Sequence, residues 1–279
     1  MNHKIKMIGF DLDGTLLTTD KKMTSYTREV LEEAIRRNII VLAVTGRPYS
    51  GIPKELREFD GIRYLITSNG ARIVKDGKFI YERLLPVEKA RKILDIFEEY
   101  DTLREIYYDG QGYAQESSLK QIEYYIESVA MAGYITSSRL PVPDLREKFE
   151  QENRDLDKIQ AIFRYPQDKT EAWNRINALK GVEVTGALDN NIEVNSENVH
   201  KGIALLWLAK RLGIKKEEIM AFGDGSNDLK MICDAGIGVA MANGIESVKE
   251  AADLIAKSND EDGVAQIIDQ FVLNGSFEK

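Results

Sequence analysis

The sequence predicts an α/β fold, in which a doubly wound parallel sheet carries an inserted α+β domain. Short apolar runs alternate with helical segments near both ends of the chain, and most of these runs end in a polar turn. From Phe79 to about Asp189 the pattern changes to mixed strands and helices that hold most of the tyrosines. We therefore expect a discontinuous core domain of residues 1–83 and 190–279, split by an inserted domain of residues 84–189.

The core elements follow from apolar periodicity and from residues that suit helix ends. Thr24 suits an N-cap before a helical apolar stripe, and Asn38 suits the left-handed residue that ends such a helix. The expected core strands are Ile5–Phe10, Ile39–Val44, Tyr64–Ile66, Ile219–Phe222, Ile237–Met241 and Leu254–Ala256. The expected C-terminal helices are Lys201–Leu212, Leu229–Ala235, Ser247–Ala252 and Asp262–Leu273.

The inserted domain shows its own alternation of helices and strands. A hairpin is expected over Ile106–Ala114, with its turn at Asp109-Gly110. The helices predicted here are Pro86–Tyr100, Leu119–Met131 and Thr170–Leu179. The remaining strands are expected at Ile159–Tyr165 and as a pair within Val182–Val194.

Composition excludes several classes of function. The 279 residues carry a formal net charge of -8, and the sequence pI is about 5.1. An acidic protein lacks the basic surface that binds nucleic acids and anionic membranes, so neither is expected as a partner. A single cysteine and two histidines exclude a disulfide framework and a Cys/His zinc site. Without an apolar run of roughly 18 residues or a signal peptide, we expect a cytoplasmic protein.

Polar residues gather at the predicted carboxyl ends of the strands, where ligands bind in open parallel sheets. A further basic residue, Lys201, begins the helix before the fourth of these strands. The strand ends themselves supply Asp11, Asp13, Thr45, Gly46, Arg47, Asn69, Gly70, Asp224, Asn227 and Asp228.

Clustered carboxylates need a compensating cation, and an all-oxygen site without histidine or cysteine suits Mg²⁺. The hydroxyl of Thr45, the backbone N–H of Gly46, the charge of Lys201 and the amide of Asn227 suit a phosphoryl group. Asp11 and Asp13 can divide the work between nucleophilic attack and proton transfer. The pattern therefore predicts a Mg²⁺-assisted site that acts on phosphate.

The same motifs resemble those of the haloacid dehalogenase (HAD) superfamily. More narrowly, the chain is similar to the Cof-type phosphatases with a type IIB cap, including YidA-like sugar phosphatases. The resemblance implies a Rossmann-like core, a cap at the position of the insert, and hydrolysis through a phosphoaspartyl intermediate. The segments that carry it are Asp11–Thr15, Thr45–Pro48, Ser68–Ala71, Lys201 and Gly223–Asp228.

The resemblance also implies a role for individual residues. Asp11 would be the nucleophile and Asp13 the general acid and base. Mg²⁺ would be bound by Asp11, by the backbone carbonyl of Asp13 and by Asp224. Lys201 would act in catalysis, and Asp228 would orient it.

The residues expected to contact phosphate or substrate form a second group. Arg47 would lie near the substrate under the cap, and Thr45 would also act in catalysis. The whole group is Leu12, Thr45, Gly46, Arg47, Asn69, Lys201 and Asn227.

These observations predict a Mg²⁺-dependent phosphatase for small phosphorylated metabolites, with sugar phosphates as the first expectation. Two alternatives stay open: a phosphomutase of the same superfamily, and a sensor that binds phosphorylated metabolites without catalysis. Monomer and dimer are both open. His200 is expected as a surface residue beside the site, and Cys233 as a small buried hydrophobic residue.

Overall fold

The computed structural model of the protein describes residues 4–186 and 188–275. Within these residues the chain forms two β-sheets, one of eight strands and one of six. All strands of the smaller sheet come from the middle of the chain, between the fifth and sixth strands of the larger sheet. We call the larger sheet with its helices the core, and the smaller sheet with its helices the cap. The exact domain boundaries, at residues 83/84 and 189/190, stay a prediction.

The core sheet has the order β14-β13-β12-β1-β2-β3-β4-β5. The strands from β14 to β3 are parallel, as expected, whereas β4 and β5 add antiparallel at one edge. Both of these strands were missed because their apolar runs are short and are flanked by charged residues. The bounds are β1 Met7–Phe10, β2 Ile40–Val44, β3 Tyr64–Thr67, β4 Arg72–Lys75, β5 Lys78–Glu82, β12 Ile219–Gly223, β13 Ile237–Met241 and β14 Leu254–Ala256.

Helices cover both faces of the core sheet, which confirms the doubly wound α/β prediction. On β1, Ile8 and Phe10 join the apolar cluster on one face with α1 and α11, while Met7 joins α8 on the other. Thr24 caps α1 by accepting a hydrogen bond from the Thr27 N–H. The core helices are α1 Ser25–Arg36, α2 Lys54–Arg57, α8 Lys201–Arg211, α9 Leu229–Asp234, α10 Glu246–Ala251 and α11 Gly263–Ile267.

The end of the chain departs from one expectation. The predicted single helix Asp262–Leu273 is an α-helix, α11, that continues as a π-helical segment, Ile268–Leu273. Within the described residues, no helix combines the length and apolar character needed to cross a bilayer.

The cap sheet has the order β10-β11-β9-β6-β7-β8. Helices α3, α6 and α7 pack against one of its faces in a separate apolar cluster. The strands are β6 Thr102–Tyr108, β7 Gln111–Gln115, β8 Arg139–Val142, β9 Lys158–Phe163, β10 Val182–Thr185 and β11 Asn191–Ser196. The helices are α3 Val87–Glu98, α4 Glu116–Lys120, α5 Val129–Ser138, α6 Leu145–Glu152 and α7 Pro166–Asn177.

The predicted helix Leu119–Met131 is wrong. The chain instead forms α4, a short 3₁₀ turn and then α5. The phenolic hydroxyls of Tyr124 and Tyr125 both donate to the Asp101 carboxylate, which holds this segment against the start of β6. Ser128 then starts a new helix by accepting a hydrogen bond from the backbone N–H of Met131. Strand β8 and helix α6 were not predicted.

A buried ionic cluster joins the core to the cap. Arg72 of β4 is 2% exposed, and its Nε lies 2.6 Å from Oδ1 of Asp157, which is also buried. The same guanidinium contacts Asp109 of the cap at 3.0 Å and Glu82 of the core at 3.1 Å. Phe79 lies under it, 4.5 Å from ring centroid to Cζ. Arg72 thus forms a buried ionic link between the core and the cap.

Candidate active site

The carboxyl ends of β1 and β12 bring two predicted site aspartates together. These strands are parallel neighbours, and Phe10 pairs in register with Phe222. The residues that follow, Asp11 and Asp224, therefore lie at the same edge of the sheet. Together with Asp228 they place one carboxylate oxygen each within 4.8 Å of one another.

Lys201, at the start of α8, lies fully buried beneath this cluster. Its Nζ is 2.8 Å from Oδ1 of Asp11 and 2.7 Å from Oδ1 of Asp228. Burial alone would lower the pKa of Lys201, but the two carboxylates raise it above its ordinary value. The lysine therefore stays charged and directly contacts the predicted nucleophile.

The cluster carries more negative charge than Lys201 balances. Burial, assisted by the neighbouring carboxylates, raises the pKa of Asp11 to about 7 although Lys201 opposes the rise. Burial and the charges of Asp228 and Asp11 raise the pKa of Asp224 to about 8. Such shifts are expected where a cation is needed to stabilise carboxylates. The donor set, oxygen only, fits a hard divalent ion.

The oxygens of the third carboxylate, Asp228, are already engaged. Oδ1 binds Lys201, and Oδ2 accepts hydrogen bonds from the backbone N–H groups of Asp224 and Gly225, each at 3.0 Å. Asp228 therefore orders the loop after β12 and positions the lysine. Asp11 and Asp224 remain as the side chains that could bind an ion directly.

Asp13 lies at the opening of the same crevice but does not join the cluster through its side chain. The Arg47 guanidinium binds its carboxylate through two hydrogen bonds of 2.7 Å, and Lys21 Nζ lies 2.7 Å from Oδ1. Although burial opposes this, the two cations hold the pKa of Asp13 well below its usual range. Sequence reasoning missed Lys21, since a single lysine in a loop carries no motif.

The loop after β2 supplies the expected phosphate-binding groups. Thr45 is 1% exposed, its hydroxyl accepts a hydrogen bond from the Arg47 N–H, and Gly46 lines the cavity beside it. A Cβ on Gly46 would lie 2.9 Å from the side-chain oxygen of Asn69 and 3.5 Å from the amide nitrogen of Asn227. Side chains from three strand ends thus surround one small space.

Three predicted phosphate ligands do not line the cavity directly. Asn69 is buried behind Gly46 and accepts a hydrogen bond of 3.3 Å from the amide of Asn227, which does line the cavity. The side chain of Leu12 is buried in the core cluster, so only its backbone could approach a ligand. Lys201 does not line the cavity either, but it contacts Asp11, which does.

The cap closes the cavity from the opposite side. Tyr134 of α5 stacks on Arg47, with 3.9 Å between Cζ and the ring centroid. Asn69 donates a hydrogen bond of 2.6 Å to Oε2 of Glu193 on β11. The cavity measures about 230 Å³. This is below the roughly 300–1,000 Å³ of pockets for drug-sized ligands, so a small substrate is favoured.

The polar lining of the cap was not identified from the sequence. Polar and apolar residues alternate along two strands, with polar positions at Lys158 and Gln160 on β9 and at Asn191, Glu193 and Asn195 on β11. This period of two indicates a strand with one polar face. The signal was therefore present, but only the pairing of the strands shows which face lines the cavity.

Two minor predictions have different outcomes. His200 is half-buried and caps α8, where its Nδ1 accepts a hydrogen bond of 3.3 Å from the Ile203 N–H. Cys233 is exposed, so the prediction that it is a small buried hydrophobic residue is wrong. It occupies the polar side of the short helix α9, whose buried side is formed by Met231 and Ile232.

Comparisons with known proteins agree over almost the entire chain. A family model described as haloacid dehalogenase-like hydrolase matches residues 8–268. The 5-amino-6-(5-phospho-D-ribitylamino)uracil phosphatase YcsE of Bacillus subtilis (strain 168) is 29% identical over 272 residues, covering 96% of each chain. A haloacid dehalogenase-like hydrolase from B. subtilis has a TM-score of 0.85 at 29% identity, covering 95% of this chain and 99% of that chain. A HAD subclass IIB sugar phosphatase has a TM-score of 0.81 at 27% identity, covering 95% and 98%.

Proposed function

The chain belongs to the haloacid dehalogenase-like hydrolases, as a phosphatase of small phosphorylated metabolites, and from that premise we propose its metal, intermediate and substrate class. It is a Mg²⁺-dependent phosphatase that forms a phosphoaspartyl intermediate on Asp11. Sugar phosphates are its first expected substrates, and the cytoplasm is its expected location. The observation that carries the proposal is the contact of Asp11 with Lys201 beside Asp224.

The metal follows from the charge of the site. Asp11 and Asp224 would hold Mg²⁺ by their carboxylates, with the backbone carbonyl of Asp13 as a further ligand. Their raised pKa values support a cation at this place, since nothing else among the described residues balances both carboxylates. When bound, Mg²⁺ supplies the positive charge that lets an anionic nucleophile approach an anionic phosphate.

In the first step, a carboxylate oxygen of Asp11 attacks phosphorus and the bond to the leaving oxygen breaks. Thr45, Gly46 and Asn227 stabilise the charge on the phosphoryl oxygens, and Lys201, which contacts Asp11, offsets the charge of the attacking carboxylate. Asp13 gives a proton to the leaving oxygen, which departs as an alcohol. Because Arg47 and Lys21 now hold the Asp13 carboxylate ionised, these contacts must loosen and Asp13 must first take up a proton when the phosphate enters.

In the second step, water attacks the phosphorus of the phosphoaspartyl group. Asp13 accepts the proton from this water, the bond between phosphorus and the Asp11 oxygen breaks, and inorganic phosphate leaves. The cap excludes other water while the first step proceeds, because Tyr134 and Glu193 cover the cavity over Arg47 and Asn69.

Asp11→Asn tests the proposal. The variant keeps the shape of the side chain and cannot attack phosphorus, so phosphate release should fall by roughly 10³-fold or more. The matched control is Asp60→Asn at an exposed aspartate of the core, which should release phosphate as the unmodified protein does. A folded Asp11→Asn protein, by circular dichroism, that retains a tenth of the activity would rule out covalent catalysis by Asp11.

A further inference from the structure

The roof of the active-site cavity is formed by one face of the cap sheet, and one residue of this face reaches the core. Strands β9 and β11 supply the roof residues Lys158, Gln160 and Glu193. In the loop after β3, Nδ2 of Asn69 donates a hydrogen bond of 2.6 Å to Oε2 of Glu193. The same nitrogen lies 3.3 Å from Oδ1 of Asn195, also on β11. The cap is therefore bound to the core directly beside the phosphate-binding loop.

The loop that carries Asn69 has a backbone conformation that contacts on both sides hold in place. Ser68, Asn69 and Gly70 are three successive residues with positive φ, of +50°, +58° and +102°. Residues other than glycine seldom adopt this conformation, and it persists where neighbouring contacts fix it. The backbone N–H of Asn69 donates a hydrogen bond of 3.0 Å to the carbonyl of Thr45. The carbonyl of Ser68 accepts one of 3.0 Å from the side-chain amide of Asn195. Asn69 is thus fixed between the phosphate-binding loop and the cap.

The charge of Glu193 determines which end of the Asn69 amide faces the cap. Lys158 Nζ lies 2.6 Å from the same Oε2 atom of Glu193. Although burial opposes it, Lys158 keeps the pKa of Glu193 below its ordinary value, so the carboxylate is ionised. An ionised carboxylate accepts hydrogen bonds and offers no donor. The NH2 end of the Asn69 amide therefore faces the cap, and its oxygen, Oδ1, faces the core.

The oxygen of Asn69 in turn sets the direction of a second amide. Asn69 Oδ1 accepts a hydrogen bond of 3.3 Å from Nδ2 of Asn227, which lines the cavity. A Cβ on Gly46 would lie 2.9 Å from Asn69 Oδ1 and 3.5 Å from Asn227 Nδ2, so both atoms border the phosphate-binding loop. The oxygen of the Asn227 amide lies on the other side, 3.0 Å from a Cβ built on Gly225. An amide nitrogen carries two N–H groups, so Asn227 can donate one to Asn69 and the other to a phosphoryl oxygen.

The opposite orientation of these amides would oppose phosphate binding. On the core side, Asn227 is the side-chain hydrogen-bond partner of Asn69 within the described part of the chain, and two amides can pair either way round. If Asn69 presented its NH2 group to Asn227, the Asn227 oxygen would turn toward Gly46 and would repel an anionic phosphate. The contact with Glu193 excludes this arrangement while the cap is closed.

We propose that Asn69 is a positioning residue that transmits closure of the cap to the phosphate site. Glu193 orients the Asn69 amide, and Asn69 turns the donor of Asn227 toward the phosphoryl group. The inference rests on the proposed phosphatase activity and gives Asn69 a role other than direct contact with phosphate. The donor is then in place when the cap covers the cavity, so phosphoryl transfer is favoured in the state that excludes water.

A double-mutant cycle tests the link between Asn69 and Asn227, with kcat/KM for phosphate release from fructose 6-phosphate and from p-nitrophenyl phosphate as the measurement. Asn69→Gly removes the side chain but suits the left-handed backbone, and it should lower kcat/KM by roughly tenfold or more. In a protein that already carries Asn227→Ala, the same change should cost less than about threefold, because the group that Asn69 positions is absent. A residue that bound phosphate directly would lose the same factor in both backgrounds. The control is Asn38→Gly, at an exposed asparagine after α1 with φ +63°, which should leave kcat/KM unchanged.

An exchange of the two interacting groups tests the link between Asn69 and the cap. Asn69→Asp places a second carboxylate against Glu193, so kcat/KM should fall by roughly tenfold or more. When Glu193→Gln is added, the carboxylate and the amide have changed places, and the hydrogen bond between the two positions forms in the opposite direction. The oxygen at position 69 still accepts from Asn227. The double variant should therefore recover roughly tenfold in kcat/KM over Asn69→Asp alone.

The contrary results are distinct from a failure of the proposed function. Equal losses from Asn69→Gly in both backgrounds, a loss below about threefold in Asn69→Gly alone, or no recovery in the exchanged double variant would each overturn the inference and leave the phosphatase standing. If Asn69→Asp did not fold, by circular dichroism, the cycle with Asn69→Gly would decide. No phosphate release from either substrate by the unmodified protein would refute the proposed function, and the inference with it.

Discussion

Gly14→Ala is expected to disable the site while leaving the fold in place. Gly14 has φ +76, and a Cβ there would lie 2.3 Å from Oδ2 of Asp224 and 2.9 Å from its Cγ. The carboxylate is held on its other side by a hydrogen bond of 2.7 Å from the Thr15 hydroxyl. To restore an ordinary contact of 3.4 Å, the carboxylate must move by about 1 Å, and a displacement of that size costs roughly 100-fold in rate.

Gly213→Ala is the matched control for this substitution. Gly213 follows α8 with φ +71, almost the same backbone conformation, and a Cβ there would meet nothing within 4 Å. Both variants should lose about 1 kcal/mol of unfolding free energy from the left-handed backbone alone, measured by urea denaturation. Only Gly14→Ala should lose activity, and its affinity for Mg²⁺ by calorimetry should fall by roughly tenfold or more.

The comparison separates the steric effect on Asp224 from the backbone effect. If Gly14→Ala retained its phosphate release to within about threefold, or if Gly213→Ala lost as much, the reasoning would be refuted. Equal Mg²⁺ affinity in both variants would remove Asp224 from the metal site.

Three further predictions concern the metal, the joint between core and cap, and the cap of α8. A chelator should reduce phosphate release to background, and added Mg²⁺ should restore it, because the carboxylate cluster repels an anionic substrate without a cation. Arg72→Met should lower the unfolding free energy by about 3–5 kcal/mol, since it leaves a buried carboxylate unpaired. His200 has a pKa below its ordinary value because of burial and the charge of Lys230. Its contribution to the unfolding free energy is therefore complete above pH 6.5 and is lost as the pH falls. Asparagine also caps helices but does not titrate in this range. In His200→Asn, the loss of up to about 1 kcal/mol of unfolding free energy between pH 7 and 5.5 should therefore disappear.

Each of these predictions has its own contrary result. Full activity in excess chelator would exclude the metal. The control for Arg72→Met is Arg63→Met. The ion pair of Arg63 with Asp76 is exposed, so this variant should lose less than about 1 kcal/mol of unfolding free energy. Equal losses in the two variants would show that the buried cluster stabilises the protein no more than an exposed ion pair does. For the helix cap, identical pH dependence of unfolding in the unmodified protein and the histidine variant would show that His200 does not contribute.

The convergence of Asp11, Asp224 and Lys201 could be predicted from the sequence because it depends on a general rule. Parallel strands place their carboxyl ends at one edge, so short apolar runs followed by acidic turns are enough to locate the crevice. The role of Asp228 as a partner of Lys201 came from the resemblance to a family. Its two backbone hydrogen bonds at the loop after β12 could be seen only in the structure.

The roof of the cavity could not be predicted in the same way. Gln160 lies between Glu105 and Glu193 only because β9 pairs with β6 and β11 in one particular register, and residues far apart in sequence set that register. The break between α4 and α5 has a similar origin, since Asp101 binds two tyrosine hydroxyls across more than twenty positions of the chain. Local periodicity carries no information about such contacts.

The ionic cluster around Arg72 bears on how caps can be exchanged between related proteins. Two of its carboxylates, Asp157 and Asp109, come from the cap, while the guanidinium comes from the core. A chimera that receives a foreign cap without acidic residues at these places would leave the buried guanidinium with only the exposed carboxylate of Glu82 as a partner. A cap transferred from one relative to another must therefore carry acidic residues at the positions of Asp109 and Asp157.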